Sequence, residues 1–224
     1  MNYERQQDLI KQELILKYPI SLIGCGALGS ASAMALAKMG VNYFDLWDED
    51  GVNEVNLPNQ MYRIVDQNKF KVEALREIIK GYNDDAIVVP NNKNYSNQAL
   101  RLVVIVTTDS MSSRKIVWDQ FLKQTEPRIF IEARMGAEEG QIYIIKKDQI
   151  GVSYADGKFY EDRLYSDAEA KQAPCTAKAI VYNVFMVASL VCRAYKAAIN
   201  SEPFPREIVF GMAQLHKYSL QVRE

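Results

Sequence analysis

Apolar residues at helical spacing (Leu9, Ile10, Leu14, Ile15) predict an N-terminal helix over 4–17. The run PISLI at 19–23 is short, continuous and apolar, as a strand buried on both faces should be, and it ends in glycines. The Ala-, Met- and Leu-rich stretch 27–39 predicts a helix stopped by Gly40. YFDLW (43–47) predicts a second strand, followed by a polar loop from 48 to about 63. Asp66 has the chemistry of an N-cap for a helix over 67–80. Strands follow at 86–90 and 101–106, a helix at Ser112–Lys123, a strand at 128–133, and another at 141–147 after a Gly-containing turn. Residues 150–174 are polar, with scattered tyrosines and no period, which predicts a lid or mobile segment. An apolar helix over 176–199 and two short strands, 207–211 and 215–222, close the chain.

Strand and helix patterns alternate through the first 150 residues. The fold class is therefore α/β: a Rossmann-like, doubly wound, mostly parallel sheet with antiparallel strands added at the C-terminus. Residues 1–224 are expected to form a single domain, with 150–174 as a crossover loop and 207–222 as the C-terminal strands. The most apolar stretch, 179–192, is interrupted by Asn183 and Ser189 and falls short of the ~20 residues a membrane span needs, so it reads as a core helix. A formal net charge of −1 gives no sign of a nucleic-acid or membrane partner. The three cysteines, 25, 175 and 192, have no zinc-ribbon spacing and suit a reduced, cytoplasmic setting.

The chemistry is concentrated in GCGALG at 24–29, which matches G-x-G-x-x-G between a strand and a helix. Gly24 permits the tight turn, Gly26 lets the backbone approach a phosphate, and Gly29 lets helix and strand pack closely. Ala27 opens the helix whose free N–H groups face that phosphate. Asp48 follows the second strand, 19 residues past Gly29, where a carboxylate can accept both ribose hydroxyls. These features alone fit an NAD(P) oxidoreductase as well as an ATP enzyme. The loop that follows favours ATP: Asn56, Asn59, Gln60 and Arg63, then Lys69 and Lys71, supply amides and cations suited to a phosphoryl group under attack. Asp109 ends strand 101–106 on the ligand-binding edge, where a carboxylate beside a triphosphate is placed to hold Mg²⁺.

Together these residues resemble the ThiF/MoeB/ubiquitin-activating-enzyme (E1-like) superfamily, in particular bacterial or phage-type ThiF family adenylyltransferases. The resemblance runs over roughly 3–200 and rests on GCGALG, Asp48/Asp50/Val52, Asn56-Leu57-Pro58-Asn59-Gln60, Lys71-Val72-Glu73 and Thr108-Asp109-Ser110 with Arg114. It implies ATP and Mg²⁺ as cofactors, ribose binding by Asp48, phosphate contacts from Asn56 and Lys71, and Mg²⁺ and the α-phosphate at Asp109. It also implies a homodimer in which Arg5, of Tyr3-Glu4-Arg5-Gln6, reaches the partner's site; the alternative for Arg5 is a solvated surface residue. The acyl donor would be the tail of a ubiquitin-like or sulfur-carrier protein, or a peptide, activated as an acyl-adenylate.

The chain also departs from the pattern. Asn59 stands where the family has arginine, with Arg63 as a candidate substitute, and the paired C-x-x-C motifs of zinc-holding relatives are absent, so no zinc is expected. Cys175, at the start of the long helix, is a candidate thioester nucleophile because a helix N-terminus stabilises a thiolate; the alternative is a packing role. Cys25 and Cys192 read as structural, and His216 has no assigned role. Besides the oxidoreductase, the remaining rival is an E1-like scaffold subunit that keeps the fold but has reduced catalytic capacity.

Overall fold

The computed structural model describes residues 1–167, 180–212 and, for the backbone, 221–223. Eight strands form one sheet in the order β3-β2-β1-β4-β5-β6-β7-β8. The first five, β1 (Ile20–Ile23), β2 (Tyr43–Trp47), β3 (Ile87–Asn91), β4 (Val103–Val106) and β5 (Ile129–Gly136), are parallel. The last three, β6 (Glu139–Lys146), β7 (Glu207–Gly211) and β8 (Gln221–Arg223), continue the sheet antiparallel. This is the doubly wound α/β sheet with antiparallel C-terminal strands that the alternating pattern implied.

Strand residues alternate between two cores. Val103 and Ile105 of β4 face one core with α2 (Ala27–Met39), α3 (Lys71–Tyr82) and α6 (Val181–Ile199). Val104 and Val106 face the other, built on Trp118 and Phe121 of α4 (Met111–Lys123), with Phe130, Tyr143 and Tyr160. Trp118 lies 4.6 Å from the Tyr160 ring and 5.2 Å from the Phe130 ring, aromatic contacts worth more than their buried area alone. Among the described residues no helix is long and apolar enough to cross a membrane.

Three expectations need correction. The N-terminal segment is not one helix: a 3₁₀ turn at Glu4–Gln6 and a short α1 (Gln12–Ile15) are separated by extended backbone at Lys11 (φ −79, ψ 133). That break buries Ile10 while Leu9 stays exposed, which a continuous helix through both does not require. Asp66 does not cap 67–80. It accepts the Arg63 backbone N–H within the 3₁₀ turn Ile64–Asp66, and α3 begins later, at Lys71. The 150–174 segment is not structureless: α5 (Tyr154–Glu161) forms there, capped by Ser153 through the Asp156 N–H, and Tyr160 is fully buried.

Candidate functional site

Strand order reverses between β1 and β4, and in doubly wound sheets ligands bind outside the carboxyl ends of the strands at that point. A cavity of about 660 Å³ opens there, between the β1–α2 turn and Thr107-Thr108-Asp109. Its walls include Gly24, Gly26, Ala27, Asp48, Asp50, Asn56, Asn59, Gln60, Lys71 and Asp109. Ten of the expected site residues, drawn from five separate stretches of sequence, therefore share one concave surface.

Each glycine has a distinct physical duty. Gly24 adopts φ +94, and a Cβ there would meet the Thr107 carbonyl carbon at 2.9 Å. Gly29 lies outside the cavity walls; its Cβ would sit 2.0 Å from the Gly24 oxygen, so it sets how closely α2 packs on the turn. Gly26 adopts φ −72 and a Cβ would meet nothing within 4 Å. No internal contact requires glycine at 26, and the space above its backbone is open. No side chain caps α2 at Gly26, so its first N–H groups remain available to an anion.

Asp48 is fixed before any ligand arrives. Its Oδ2 accepts the Cys25 N–H at 2.7 Å and its Oδ1 the Asp50 N–H at 2.9 Å. Burial pushes its carboxyl above the ordinary aspartate value, opposed by the neighbouring Lys71 ammonium and the two N–H donors. Lys71 is buried, with its Nζ 2.6 Å from Asp50 and 3.8 Å from Asp48. Asp109 is exposed at the cavity mouth, without an ion-pair partner among the described residues. Buried polar atoms without partners cluster here as well: Trp47 Nε1, Asn59 Oδ1, Gln60 Oε1 and Thr108 Oγ1 all belong to cavity-lining residues. Buried groups in this condition take their partners from water or from a bound ligand.

The oxygen-donor set suits magnesium, which is commonly held by one or two carboxylates plus phosphate oxygens and water. Asp109 supplies one such carboxylate; Asp48 and Asp50 line the same cavity but pair with Lys71. No group of three or more His, Cys, Asp or Glu side chains that could hold a metal by itself occurs among the described residues.

Other candidates lie elsewhere. Arg63 does not replace the cation missing at 59. It is half-exposed and paired with Asp66 at 2.8 Å, while Lys69 pairs with Glu77 at 2.7 Å. Arg5 is exposed on the first 3₁₀ turn, and the neighbouring Gln6 side chain bonds to the Met39 carbonyl. Met39 ends the helix that Ala27 opens, so Arg5 stands about 20 Å along α2 from the glycine turn of its own chain, at 1.5 Å per residue. Cys175 and His216 lie outside the described residues. Cys25 and Cys192 are buried, and burial pushes both thiols up, that of Cys192 to about 12, so neither is a nucleophile at neutral pH.

Sequence reasoning missed four participants. Trp47 and Tyr95 line the cavity and meet edge-to-face at 5.4 Å, beside Asn94. Tyr95 and Asn94 come from the irregular β3–β4 connection, which carries no motif. Glu132 is wholly buried behind the cavity, 2.8 Å from Arg114 and 2.6 Å from Arg134. A signal was present: a carboxylate inside the apolar strand RIFIEAR must find a cationic partner.

Several known proteins are similar to this chain. A family model described as the ThiF family matches residues 3–223. An adenylyltransferase and sulfurtransferase uba4 of Aspergillus clavatus is 27% identical over 133 residues, covering 56% of this chain and 27% of the relative. A probable molybdopterin-synthase adenylyltransferase of Gracilaria tenuistipitata var. liui is 30% identical over 156 residues, covering 64% and 40%. The chain thus spans well under half the length of these relatives. Among solved structures, PaaA superposes with a TM-score of 0.74 at 18% identity over 99% of this chain and 67% of that one. E. coli MccB with ATP gives 0.72 at 15% over 95% and 64%. At such identities the structures establish a shared fold.

Proposed function

This chain belongs to the ThiF family, and from that premise we propose that it is an ATP-dependent adenylyltransferase that activates a C-terminal carboxylate as an acyl-adenylate. The observation that carries the reading is the single cavity at the β1/β4 switch point, which joins the glycine turn, Asp48, Lys71 and Asp109. In the reaction, a carboxylate oxygen of the acyl donor forms a bond to the α-phosphorus of ATP, the bond from that phosphorus to the bridging oxygen breaks, and pyrophosphate leaves. The attacking carboxylate is already ionised, so no base is required. The protein's contribution is positioning and charge neutralisation.

The roles follow from placement. Asp48, already oriented by two backbone N–H groups, accepts the ribose hydroxyls. Asn56, Asn59 and Gln60 offer amides to the phosphates, and Lys71 can turn from Asp50 to a phosphate oxygen. Asp109 would hold magnesium, which when bound neutralises phosphate charge. Charge supports two further elements. The cavity wall carries four carboxylates (Asp48, Glu49, Asp50, Asp109) against two cations (Lys71, Arg114). A triphosphate there needs added positive charge, and Arg5 is too distant within its own chain. A homodimer in which Arg5 serves the partner's site meets that need. The acyl donor is the flexible tail of a ubiquitin-like or sulfur-carrier protein, or a peptide. Relatives include a protein named ubiquitin-like modifier-activating enzyme 5 of Rattus norvegicus and an E. coli MccB crystallised with AMPCPP and MccA. Passage of the acyl group to Cys175 as a thioester rests on the sequence alone.

The test is ATP–pyrophosphate exchange with candidate carrier proteins and peptides, using Lys71→Ala and Asp109→Ala as controls. Each substitution should lower exchange by about 10²–10³-fold. Exchange that survives both removes the residue assignments. Thermal stabilisation by NAD but not by ATP with magnesium would restore the oxidoreductase reading.

A further inference from the structure

The turn that presents Asp109 is gripped from both sides by one segment, 160–167, and both grips use charge. On one side, Arg114 Nη2 donates to the Thr108 carbonyl at 2.6 Å, immediately before Asp109. Arg114 Nε lies 2.8 Å from Glu132, a charge contact without hydrogen-bond alignment, and that carboxylate takes a two-pronged bond from Arg134 (2.6 and 3.0 Å) and the hydroxyl of Tyr160. Burial, and then Glu132, push the Tyr160 phenol up, so it remains a donor. On the other side, Asp167 accepts the N–H groups of Met111 and Ser112 at 2.5 and 3.3 Å, and the Met111 N–H holds its carboxyl below the ordinary range. Arg134 Nη1 ties the two grips together through the Arg163 carbonyl at 3.0 Å.

Packing alone does not account for this arrangement. Glu132, Arg114 and Arg134 are all buried, and apolar residues of similar volume commonly stabilise a core at least as well as buried ions do. What ions add is direction: a forked guanidinium–carboxylate contact fixes orientation where apolar contact does not. The fork here is Arg134 on Glu132, which fixes the carboxylate against which the Arg114 guanidinium rests, and Arg114 in turn donates to the Thr108 carbonyl that precedes Asp109.

We propose that Tyr160 and Asp167 are positioning residues for Asp109, acting through Glu132–Arg114–Thr108 and through the N-terminus of α4. The proposal rests on the reading of Asp109 as the magnesium-facing carboxylate. It assigns a function to α5 and the residues after it: they hold the metal-side carboxylate at its working angle.

The experiment measures ATP affinity by titration calorimetry with Mg²⁺ and again with EDTA, taking the ratio of the two Kd values as the magnesium gain. Asp109→Asn should abolish the gain. Tyr160→Phe and Asp167→Asn should each lower it about 2- to 10-fold, the range of one hydrogen bond, and leave the EDTA value unchanged. Neither should have a further effect in the Asp109→Asn background, since residues acting on one group are not additive. Tyr160→Phe keeps the ring packed on Trp118; if it melts far below wild type, the exposed Asp167→Asn carries the test. An equal loss of affinity with and without Mg²⁺, or effects that add to Asp109→Asn, overturns the proposal. A full gain retained in Asp109→Asn removes the reading of Asp109 and this inference with it. A gain lost in Asp109→Asn but intact in both other variants overturns this inference alone.

Discussion

Gly26 and Gly29 lie three residues apart in one turn, and their substitution by alanine should give opposite outcomes. At 29 the new Cβ would fall 2.0 Å from the Gly24 carbonyl oxygen. Backbone must shift to admit it, and overpacking of this kind costs about 1–3 kcal/mol. For a chain of 224 residues, each kcal/mol lowers Tm by about 2–4 °C, so Gly29→Ala should melt about 2–12 °C below wild type. At 26 the Cβ meets nothing within 4 Å and φ is −72, so Gly26→Ala should lose no more than the preference of an N-cap for glycine over alanine, about 1 kcal/mol or less. Its penalty falls on the ligand instead. A methyl between backbone and phosphate removes about one charge-assisted hydrogen bond, 1.5–3 kcal/mol, or about 10- to 150-fold in Kd for ATP with magnesium. Differential scanning fluorimetry and calorimetric titration of the two variants separate the effects. If Gly26→Ala binds ATP as wild type does, the phosphate does not lie over this turn; if it melts as low as Gly29→Ala, the fold itself requires glycine at 26.

Three further outcomes are expected. Asp48→Asn should abolish ATP binding and melt below wild type at neutral pH, because its amide nitrogen cannot accept one of the two backbone N–H groups that the Asp48 oxygens take, a loss of about 1–3 kcal/mol. The raised Asp48 carboxyl contributes stability below its unfolded value and loses that contribution as pH rises through the folded one, so the deficit of the variant in urea melts should be no smaller at pH 4 than at pH 8. Asp66 is held down to about 2 by Arg63, so its contribution is complete above the unfolded value and lost as pH falls from about 4 to about 2. Because Arg63 is half in solvent, Asp66→Asn should cost only about 1 kcal/mol at pH 7, and urea melts of the two proteins should converge near pH 2. Mixing inactive Arg5→Ala and Lys71→Ala proteins should restore exchange activity, since a mixed dimer contains one site with both residues intact; mixtures that stay inactive argue against a finger supplied in trans.

How much of this could be read from sequence depended on how local each cause was. Helix 27–39 and strands 43–47 and 207–211 match the structure to the residue, because local signals mark their ends: Gly40 stops the helix, polar residues flank YFDLW, and Pro205 and Gly211 bracket strand 207–211. α5 escaped because its one deeply buried residue, Tyr160, answers to Trp118, Phe130 and Glu132 rather than to a helical stripe of its own. That ten of the candidate residues line one cavity was legible because each belongs to a motif whose position relative to a strand end is set by chain direction. Arg63 and Lys69 were misplaced in the same loop: composition suggested cations near phosphates, but Asp66 and Glu77 claim both. Trp47 and Tyr95 needed the fold itself, since the β2 end and the β3–β4 connection meet only in three dimensions.

The pairing of β6 with β7 has a topological consequence. Glu139–Tyr143 run beside Glu207–Gly211, so the chain leaves the sheet after β6 and returns to the neighbouring rung at β7. The C-terminal piece is held a second time by α6 against α2, where Cys192 touches the Ser32 carbonyl region. A backbone nick at 148–152, between β6 and α5, would therefore yield two fragments that stay associated, and the chain could be expressed as two separate polypeptides that reassemble, with the carboxylate-presenting turn in one and the closing strands in the other.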